Sequence, residues 1–89
     1  MTEMSRIMEE LDCVMLRHGV DRLEIGPGEH VYHYRDDEVI VWVTPWDDGV
    51  FVRVATDDGS AETFVNGSRM SWKVVANVMA AVAELVVRL

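Results

Sequence analysis

Three aspartate pairs are the residues of this chain whose type and spacing could support chemistry. Asp36-Asp37, Asp47-Asp48 and Asp57-Asp58 lie in one stretch of sequence, with their second members eleven and then ten residues apart. Carboxylates that are brought together can ligate a hard cation such as calcium. The twelve-residue calcium-loop pattern is absent, so the pairs predict no dedicated metal site.

The same pairs have a simpler interpretation as turn residues. Each pair follows one predicted strand and precedes the next, and Asp favours turns because its carboxylate accepts hydrogen bonds from nearby backbone N–H groups. Gly49 and Gly59 follow two of the pairs and supply a permissive backbone. Alternate turns of a meander lie at the same end of the sheet. The predicted acidic edge at that end consists of Asp36, Asp37, Asp57 and Asp58.

The other residues of catalytic type show no catalytic pattern. His30 and His33 are three residues apart in one predicted strand, which places them on opposite faces. Cys13 is the only cysteine, and its apolar surroundings predict a small buried side chain in a helix. No zinc spacing, serine elbow or phosphate-binding glycine loop is present. We therefore expect no catalytic residues, no metal and no cofactor, and we expect that the protein is not an enzyme.

Composition narrows the choice of partners. The chain has 89 residues, which predicts one domain spanning residues 1–89. Sixteen acidic residues oppose eight basic ones, for a net charge of -8. Binding to nucleic acid requires a basic surface, and no Lys or Arg cluster is present, so we expect no direct nucleic-acid binding and no binding to anionic membranes. The charge favours another protein, one that is basic, as the partner.

Two further features bear on location and origin. The N-terminal residues carry acids where a signal peptide needs basic and then apolar residues. The longest apolar run begins at Val78 and is broken at Glu84, too early to span a bilayer. A cytoplasmic protein is the expectation. All basic residues except Lys73 are arginines, a bias typical of GC-rich genomes, which suggests a bacterial or phage protein.

Hydrophobic periodicity predicts an α+β fold with helices at both ends. Apolar residues from Met4 to Met15 recur at three- and four-residue steps, as in a helix that Gly19 ends. Runs rich in β-branched and aromatic residues follow, separated by short turns. A second helix is predicted from about Arg69 to Leu89, with Ser68 or Ser71 as its cap. The prediction is a four- or five-stranded antiparallel meander (α-β-β-β-β-β-α) with both helices on one face.

Residue parity assigns the two faces of this sheet. The face that the helices cover is predicted to contain Val39, Val41, Val43, Val50, Val52 and Val54. The opposite face is predicted to contain Val31, His33, Ile40, Trp42, Phe51 and Arg53. With a four-residue loop at 45–48, Trp42 would pair with Phe51 and Ile40 with Arg53. A solvent-facing sheet surface is usually polar, and Trp, Phe and Arg are enriched in interface centres, so we interpret this face as a protein interface. The alternative is that one helix covers it.

The C-terminal helix is apolar over a wider arc than a surface helix needs. Its polar residues form one narrow stripe of Lys73, Asn77, Glu84 and Arg88. The helix therefore either wedges between the sheet and the first helix, or uses a second apolar side to contact another chain.

The outline of a small, acidic α+β protein resembles the secretion-chaperone class in character, and small phage-encoded inhibitors of host proteins share the profile. No motif carries either resemblance, so no residue role is transferred. Our first hypothesis is a non-enzymatic, homodimeric protein-binding module that masks or holds a partner protein. The alternatives are an acidic nucleic-acid mimic that blocks a basic cleft, a secretion-chaperone-like protein, and a small metal-dependent regulator or enzyme.

Overall fold

The protein folds as a helix, five consecutive strands and a second helix. The computed structural model describes residues 3–89. The helices are α1 (Glu3–Arg17) and α2 (Ser71–Arg88), and the strands are β1 (Arg22–Gly26), β2 (Glu29–Tyr34), β3 (Val39–Pro45), β4 (Gly49–Thr56) and β5 (Gly59–Asn66). Each strand pairs with the next in one antiparallel sheet of order β1-β2-β3-β4-β5. The predicted α+β meander with a helix at each end is confirmed, with five strands.

The first helix follows its predicted apolar spacing. Ile7, Met8, Leu11 and Met15 are buried at three- and four-residue steps, and the helix ends before Gly19, whose φ of +97° is the left-handed conformation that glycine adopts readily. The prediction that Cys13 is buried was wrong, because the residue is exposed. It lies about 200° around the helix from Leu11, on the side away from the core.

The aspartate pairs are turn residues, as predicted. Asp47-Asp48 connects β3 to β4, and the Trp46 N–H donates to the Gly49 carbonyl across this turn at 2.8 Å. Asp57-Asp58 connects β4 to β5, and the second of these residues donates its N–H to the Thr56 hydroxyl at 3.1 Å. Two residues suffice at each place because Asp and Gly tolerate the backbone that tight hairpins need.

The third pair lies in a more strained turn. Arg35, Asp36 and Asp37 have φ of 51°, 52° and 70°, in the left-handed region that L-residues rarely adopt. Hydrogen bonds offset part of this strain. The Glu38 N–H donates to the Arg35 carbonyl at 3.1 Å, and the Asp36 N–H donates to the Asp21 carboxylate at 3.1 Å. This turn is therefore held by contacts from outside the hairpin as well as within it.

The register between β3 and β4 differs from the predicted one. Trp42 pairs with Arg53 and Ile40 with Ala55, so the predicted pairing of Trp42 with Phe51 and of Ile40 with Arg53 was wrong. The cause is the connection, which is two residues long instead of four. A shift of two residues keeps every side chain on its face, since side chains alternate with a period of two. Between β2 and β3, Tyr34 pairs with Val39 and Val31 pairs with Trp42.

The valine face is the core. Five of its six predicted members have no solvent exposure and the sixth, Val39, packs against them; the five are Val41, Val43, Val50, Val52 and Val54. Apolar residues of both helices belong to the same cluster, which confirms that both helices cover this face. The alternative, in which one helix covers the opposite face, is contradicted. Each fully buried valine contributes about 1.5–3 kcal/mol relative to an exposed one.

The wide apolar arc of α2 is used within the chain. Val74, Val78 and Leu85 are buried, while Met79 and Val82 pack against the core from the flanks of the helix. The helix contacts β4, β5 and α1, so it is enclosed on more than one side. The wedge interpretation therefore accounts for most of this arc.

The start of α2 differs from the prediction. Met70 occupies the N-cap position, and no side chain caps the helix. The predicted serine cap was wrong. The Ser68 hydroxyl instead accepts a hydrogen bond from the Met70 N–H at 3.2 Å, which orders the segment just before the helix.

Two glycines let the chain pass closely at the end of the sheet. A Cβ on Gly49 would collide with the Val65 carbonyl oxygen and would lie 2.9 Å from both the Phe64 ring and the Gly67 nitrogen. The Gly67 N–H donates to the Asp48 carbonyl at 2.6 Å. The chain leaving β5 therefore packs directly on the β3–β4 turn before it enters α2.

Candidate protein-binding face

The side of the sheet away from the helices, here called the open face, carries all six residues predicted to form an interface. Pairing and parity place Val31, His33, Ile40, Trp42, Phe51 and Arg53 on it. The same rows continue into Thr44, Ala55, Ser60, Glu62 and Phe64. Within residues 3–89 no helix covers this surface, because α1 and α2 both pack on the other side.

The six predicted residues differ in accessibility. Val31 and His33 are only 9% and 7% exposed, although no helix lies over them. Ile40, Trp42 and Phe51 are half-buried, and Arg53 is exposed. Of these six residues, those of β3 and β4 are therefore available to a partner, whereas the two β2 residues lie beside them and are covered.

Three aromatic side chains form what we call the aromatic corner, consisting of Trp46, Phe51 and Phe64. The centroid of Phe51 lies 5.8 Å from that of Trp46 and 4.9 Å from that of Phe64, both in edge-to-face geometry. Such pairs contribute about 0.5–1.5 kcal/mol beyond the area they bury. Trp46 is 60% exposed and Phe64 is 37% exposed, so the corner presents an ordered apolar surface to solvent.

Sequence reasoning missed two members of this corner. Trp46 was assigned to a loop, and the pairing of β5 was not worked out. The signal for Phe64 was available, since a two-residue turn at 57–58 places it directly opposite Phe51. Trp46 had no such signal, because its position depends on the tight closure of the β3–β4 turn.

A cation–π contact lies beside the corner. The Arg53 guanidinium carbon is 4.7 Å from the centroid of the Trp42 ring. At exposed sites this contact contributes about 0.5–1 kcal/mol. It holds the arginine flat against the sheet, where its charged group and the indole form one continuous surface.

A polar cluster borders the open face at β1 and β2. His33 Nδ1 lies 2.6 Å from an Asp37 carboxylate oxygen, and Nε2 lies 3.3 Å from a Glu24 carboxylate oxygen. Arg22 Nη2 lies within 3.4 Å of both ring nitrogens and 3.8 Å from Asp37. These contacts explain why His33 is buried on a face that no helix covers.

The four residues of the predicted acidic edge differ in the contacts that they make. Asp36, Asp37, Asp57 and Asp58 are all exposed in turns at the same end of the sheet. Asp37 takes part in the polar cluster, and Asp36 contributes its N–H to Asp21. Asp58 forms its contact through its backbone. Within residues 3–89 no group of three or more His, Cys, Asp or Glu residues could hold a metal ion.

A second polar group lies on the opposite face, beneath α1. The Tyr32 hydroxyl donates to Asp12 Oδ1 at 2.6 Å, and His30 Nδ1 lies 2.8 Å from the same oxygen. Because a carboxylate only accepts, Nδ1 carries the proton. His30 and His33 therefore lie on opposite faces, as predicted, and each is satisfied by a carboxylate. His30 and Asp12 also line a groove of about 480 Å³ between α1 and the β1–β2 hairpin.

The tyrosine hydroxyls are held in their neutral form. Burial raises the pKa of Tyr32 far above its ordinary value, and the neighbouring Asp12 carboxylate raises it further. Burial also raises the pKa of Tyr34, whose hydroxyl donates to the Met15 sulfur at 3.2 Å. Both hydroxyls thus serve as donors that tie the sheet to α1.

No protein-family model, curated protein or solved structure gives a significant match to the chain. In the part of the chain that the structure describes, neither helix has the length and apolar character needed to cross a membrane.

Proposed function

We propose that this protein is a non-enzymatic protein-binding module that masks or holds a partner protein with its open face, and that it works as a cytoplasmic homodimer. The observation that carries the proposal is the aromatic corner. Trp46 and Phe64 present apolar rings to solvent beside the Trp42–Arg53 pair. Contiguous exposed apolar surface of this kind marks binding sites in small proteins, and Trp and Arg are the residues that most often dominate binding energy.

Charge defines the chemistry of the partner. The chain carries a net charge of -8, and the acids at the margin of the open face include Glu24, Asp37 and Glu62. The centre of the face is apolar. The partner surface that fits is an apolar side chain flanked by Lys or Arg, because it would bury against the corner while its charges meet the acidic margin.

A peptide array tests this proposal. Its members vary separately in net charge and in the number of aromatic or aliphatic residues, and the purified protein is applied at low and high salt. We expect binding to peptides that combine basic and apolar residues. Part of this binding should persist at high salt, because apolar burial is insensitive to the screening that weakens exposed charge pairs.

A matched pair of variants locates the site. Trp46→Ala should reduce binding by roughly tenfold or more, the range of an interface hot spot. Trp72→Ala is the control, since Trp72 is also 60% exposed but lies on α2. Equal loss in both variants would exclude the open face. Binding that depends on peptide charge alone and disappears at high salt would favour the acidic nucleic-acid mimic instead.

A further inference from the structure

The edge strand β5 has a row of backbone groups without hydrogen-bond partners among residues 3–89. In an antiparallel pair, successive residues direct their N–H and C=O alternately toward the neighbouring strand and away from it. The Trp46–Gly49 hydrogen bond fixes this alternation, because Gly49 and every second residue after it then bond to β3. The remaining residues of β4 bond to β5. The β5 residues left facing the free edge are Ser60, Glu62, Phe64 and Asn66.

This edge has little of the usual protection against strand pairing, since Glu62 is its only charged side chain. Proteins commonly protect an edge with proline, lysine, a bulge or a short strand. β5 is eight residues long, contains neither proline nor lysine, and pairs with β4 without interruption. The other edge, β1, is five residues long and is followed directly by Pro27. The two edges of the sheet are therefore not equivalent, and β5 is the one suited to pairing.

We propose that β5 pairs antiparallel with β5 of a second copy, about a two-fold axis at Thr63. This inference rests on the self-association included in the proposed function, and it does not depend on partner binding. The register places Glu62 opposite Phe64 of the second copy and Ser60 opposite Asn66. An axis at Glu62 would place like charges directly opposite each other, which is destabilising. An axis at Phe64 would leave a shorter paired segment.

The charges on α2 fit the same arrangement. The helix lies over β4 and β5, and Leu89, the residue that follows it, lies near Gly59, so it runs antiparallel to β5. The buried side of α2, which includes Val74, Val78 and Leu85, faces the sheet. In a right-handed helix that runs antiparallel to β5, the polar stripe then lies on the flank of α2 nearer the β5 edge. The two-fold axis then sets the two copies of α2 side by side and antiparallel, with Lys73 of one copy level with Glu84 of the other. The attraction is reciprocal, as an isologous interface requires.

The paired sheets would keep both open faces on the same side and uncovered. A two-fold axis perpendicular to the sheet joins the two five-stranded sheets edge to edge. The helices of both copies remain on the opposite side. The dimer would thus present two aromatic corners on one continuous surface, and loss of the dimer would not by itself remove either corner.

Cysteine cross-linking tests the register directly. In the proposed register, Thr63 lies opposite Thr63 of the second copy as a non-hydrogen-bonded pair. The Cα atoms of such a pair are about 4.5 Å apart, which is within the range of about 4.4–6.8 Å that a disulfide needs. With the exposed Cys13 changed to Ser, Thr63→Cys should form an intermolecular disulfide in a glutathione redox buffer. Glu62→Cys and Phe64→Cys are controls, because each would face its own copy only in another register.

A proline variant tests the strand edge independently. The Glu62 N–H points away from β4, so Glu62→Pro removes only bonds to a second copy and should keep the circular dichroism spectrum of the parent. Sedimentation should show a dimer dissociation constant raised by about tenfold or more, since two symmetric hydrogen bonds are lost, while Glu62→Ala stays close to the parent.

A parent that is monomeric at about 100 µM would overturn both the dimer and this inference. A dimer in which Thr63→Cys cross-links no faster than Glu62→Cys or Phe64→Cys would overturn the β5 pairing alone.

Discussion

The hydroxyl of Tyr32 donates a 2.6 Å hydrogen bond to the carboxylate of Asp12, which joins β2 to α1. Tyr32 has no solvent exposure and Asp12 is 9% exposed. A carboxylate in this position is costly to bury unless donors surround it, and His30 supplies the second donor. Together with the hydrogen bond from the Tyr34 hydroxyl to Met15, the pair gives α1 one specific position on the sheet.

Removal of the Tyr32 hydroxyl should destabilise the fold. Tyr32→Phe leaves a buried carboxylate with one donor fewer, and we expect a loss of about 1–3 kcal/mol in the free energy of unfolding. Urea denaturation followed by tryptophan fluorescence measures it. Tyr34→Phe is the control, because that hydroxyl contacts only a sulfur acceptor and its loss should matter less. A smaller effect at Tyr32 than at Tyr34 would show that the Asp12 link contributes little.

Stability should fall at alkaline pH. Burial and Asp12 raise the pKa of Tyr32, and burial raises the pKa of Tyr34, so the folded state holds these protons more tightly than the unfolded state does. Stability is then fully present below the unfolded tyrosine pKa of about 10 and decreases as pH rises above it. The melting temperature between about pH 8 and pH 11 should show this decrease. Tyr32→Phe should have a shallower slope, and an unchanged slope would assign the effect to other groups.

The valine face gives a strict test of strand parity. Val41→Asp or Val52→Asp places an unpaired carboxylate where exposure is zero, at a cost of several kcal/mol. A domain of this kind has only about 5–15 kcal/mol of stability, so we expect strong destabilisation or loss of the folded state. Arg53→Ala, one residue along β4 on the opposite face, should remain folded. If either aspartate variant melted within a few degrees of the parent, the assignment of faces would fail.

The fold was predictable because its local signals agree with one another. The alternation of valine with other residues in β3 and β4, the aspartate pairs and Gly19 each specify a face, a turn or a helix end through short-range chemistry. The β3–β4 register was not predictable in the same way. It depends on whether the loop has four residues or two, that is, on whether Trp46 and Gly49 pair across a tight turn. Parity cannot distinguish the two lengths, because both place Trp42 on the same face.

The candidate site was only partly predictable for a similar reason. Residue parity placed six residues on the open face, yet it gave no information on their exposure. Val31 and His33 are buried by side chains from neighbouring strands and from the strained turn at 35–38. The buried group around Asp12 depends on how α1 docks, which sequence periodicity does not specify.

The acidic edge should respond unequally to neutralisation. Asn serves turns as well as Asp does, so Asp57→Asn with Asp58→Asn should leave the melting temperature unchanged. Asp37→Asn should cause a measurable loss, below about 1 kcal/mol because the contact with His33 is half-exposed. Millimolar calcium should change the melting temperature of the parent little. A large calcium-dependent stabilisation that is lost when Asp36, Asp37, Asp57 and Asp58 are all changed to Asn would contradict the interpretation of these residues as turn residues.

Gly49 should be the least replaceable glycine of the sheet. A Cβ there collides with the Val65 carbonyl oxygen, which belongs to the β4–β5 ladder and has little room to move. Gly49→Ala should therefore separate β5 from the β3–β4 turn, disturb Phe64, and lower the free energy of unfolding by more than about 2 kcal/mol. Gly26→Ala is the matched control, because its Cβ would make only an ordinary 3.5 Å contact with the Glu29 carbonyl oxygen. Thermal melts of both variants, with near-UV circular dichroism to follow the aromatic corner, measure the difference. Equal melting temperatures would mean that the close approach of β5 to this turn is relaxed in solution.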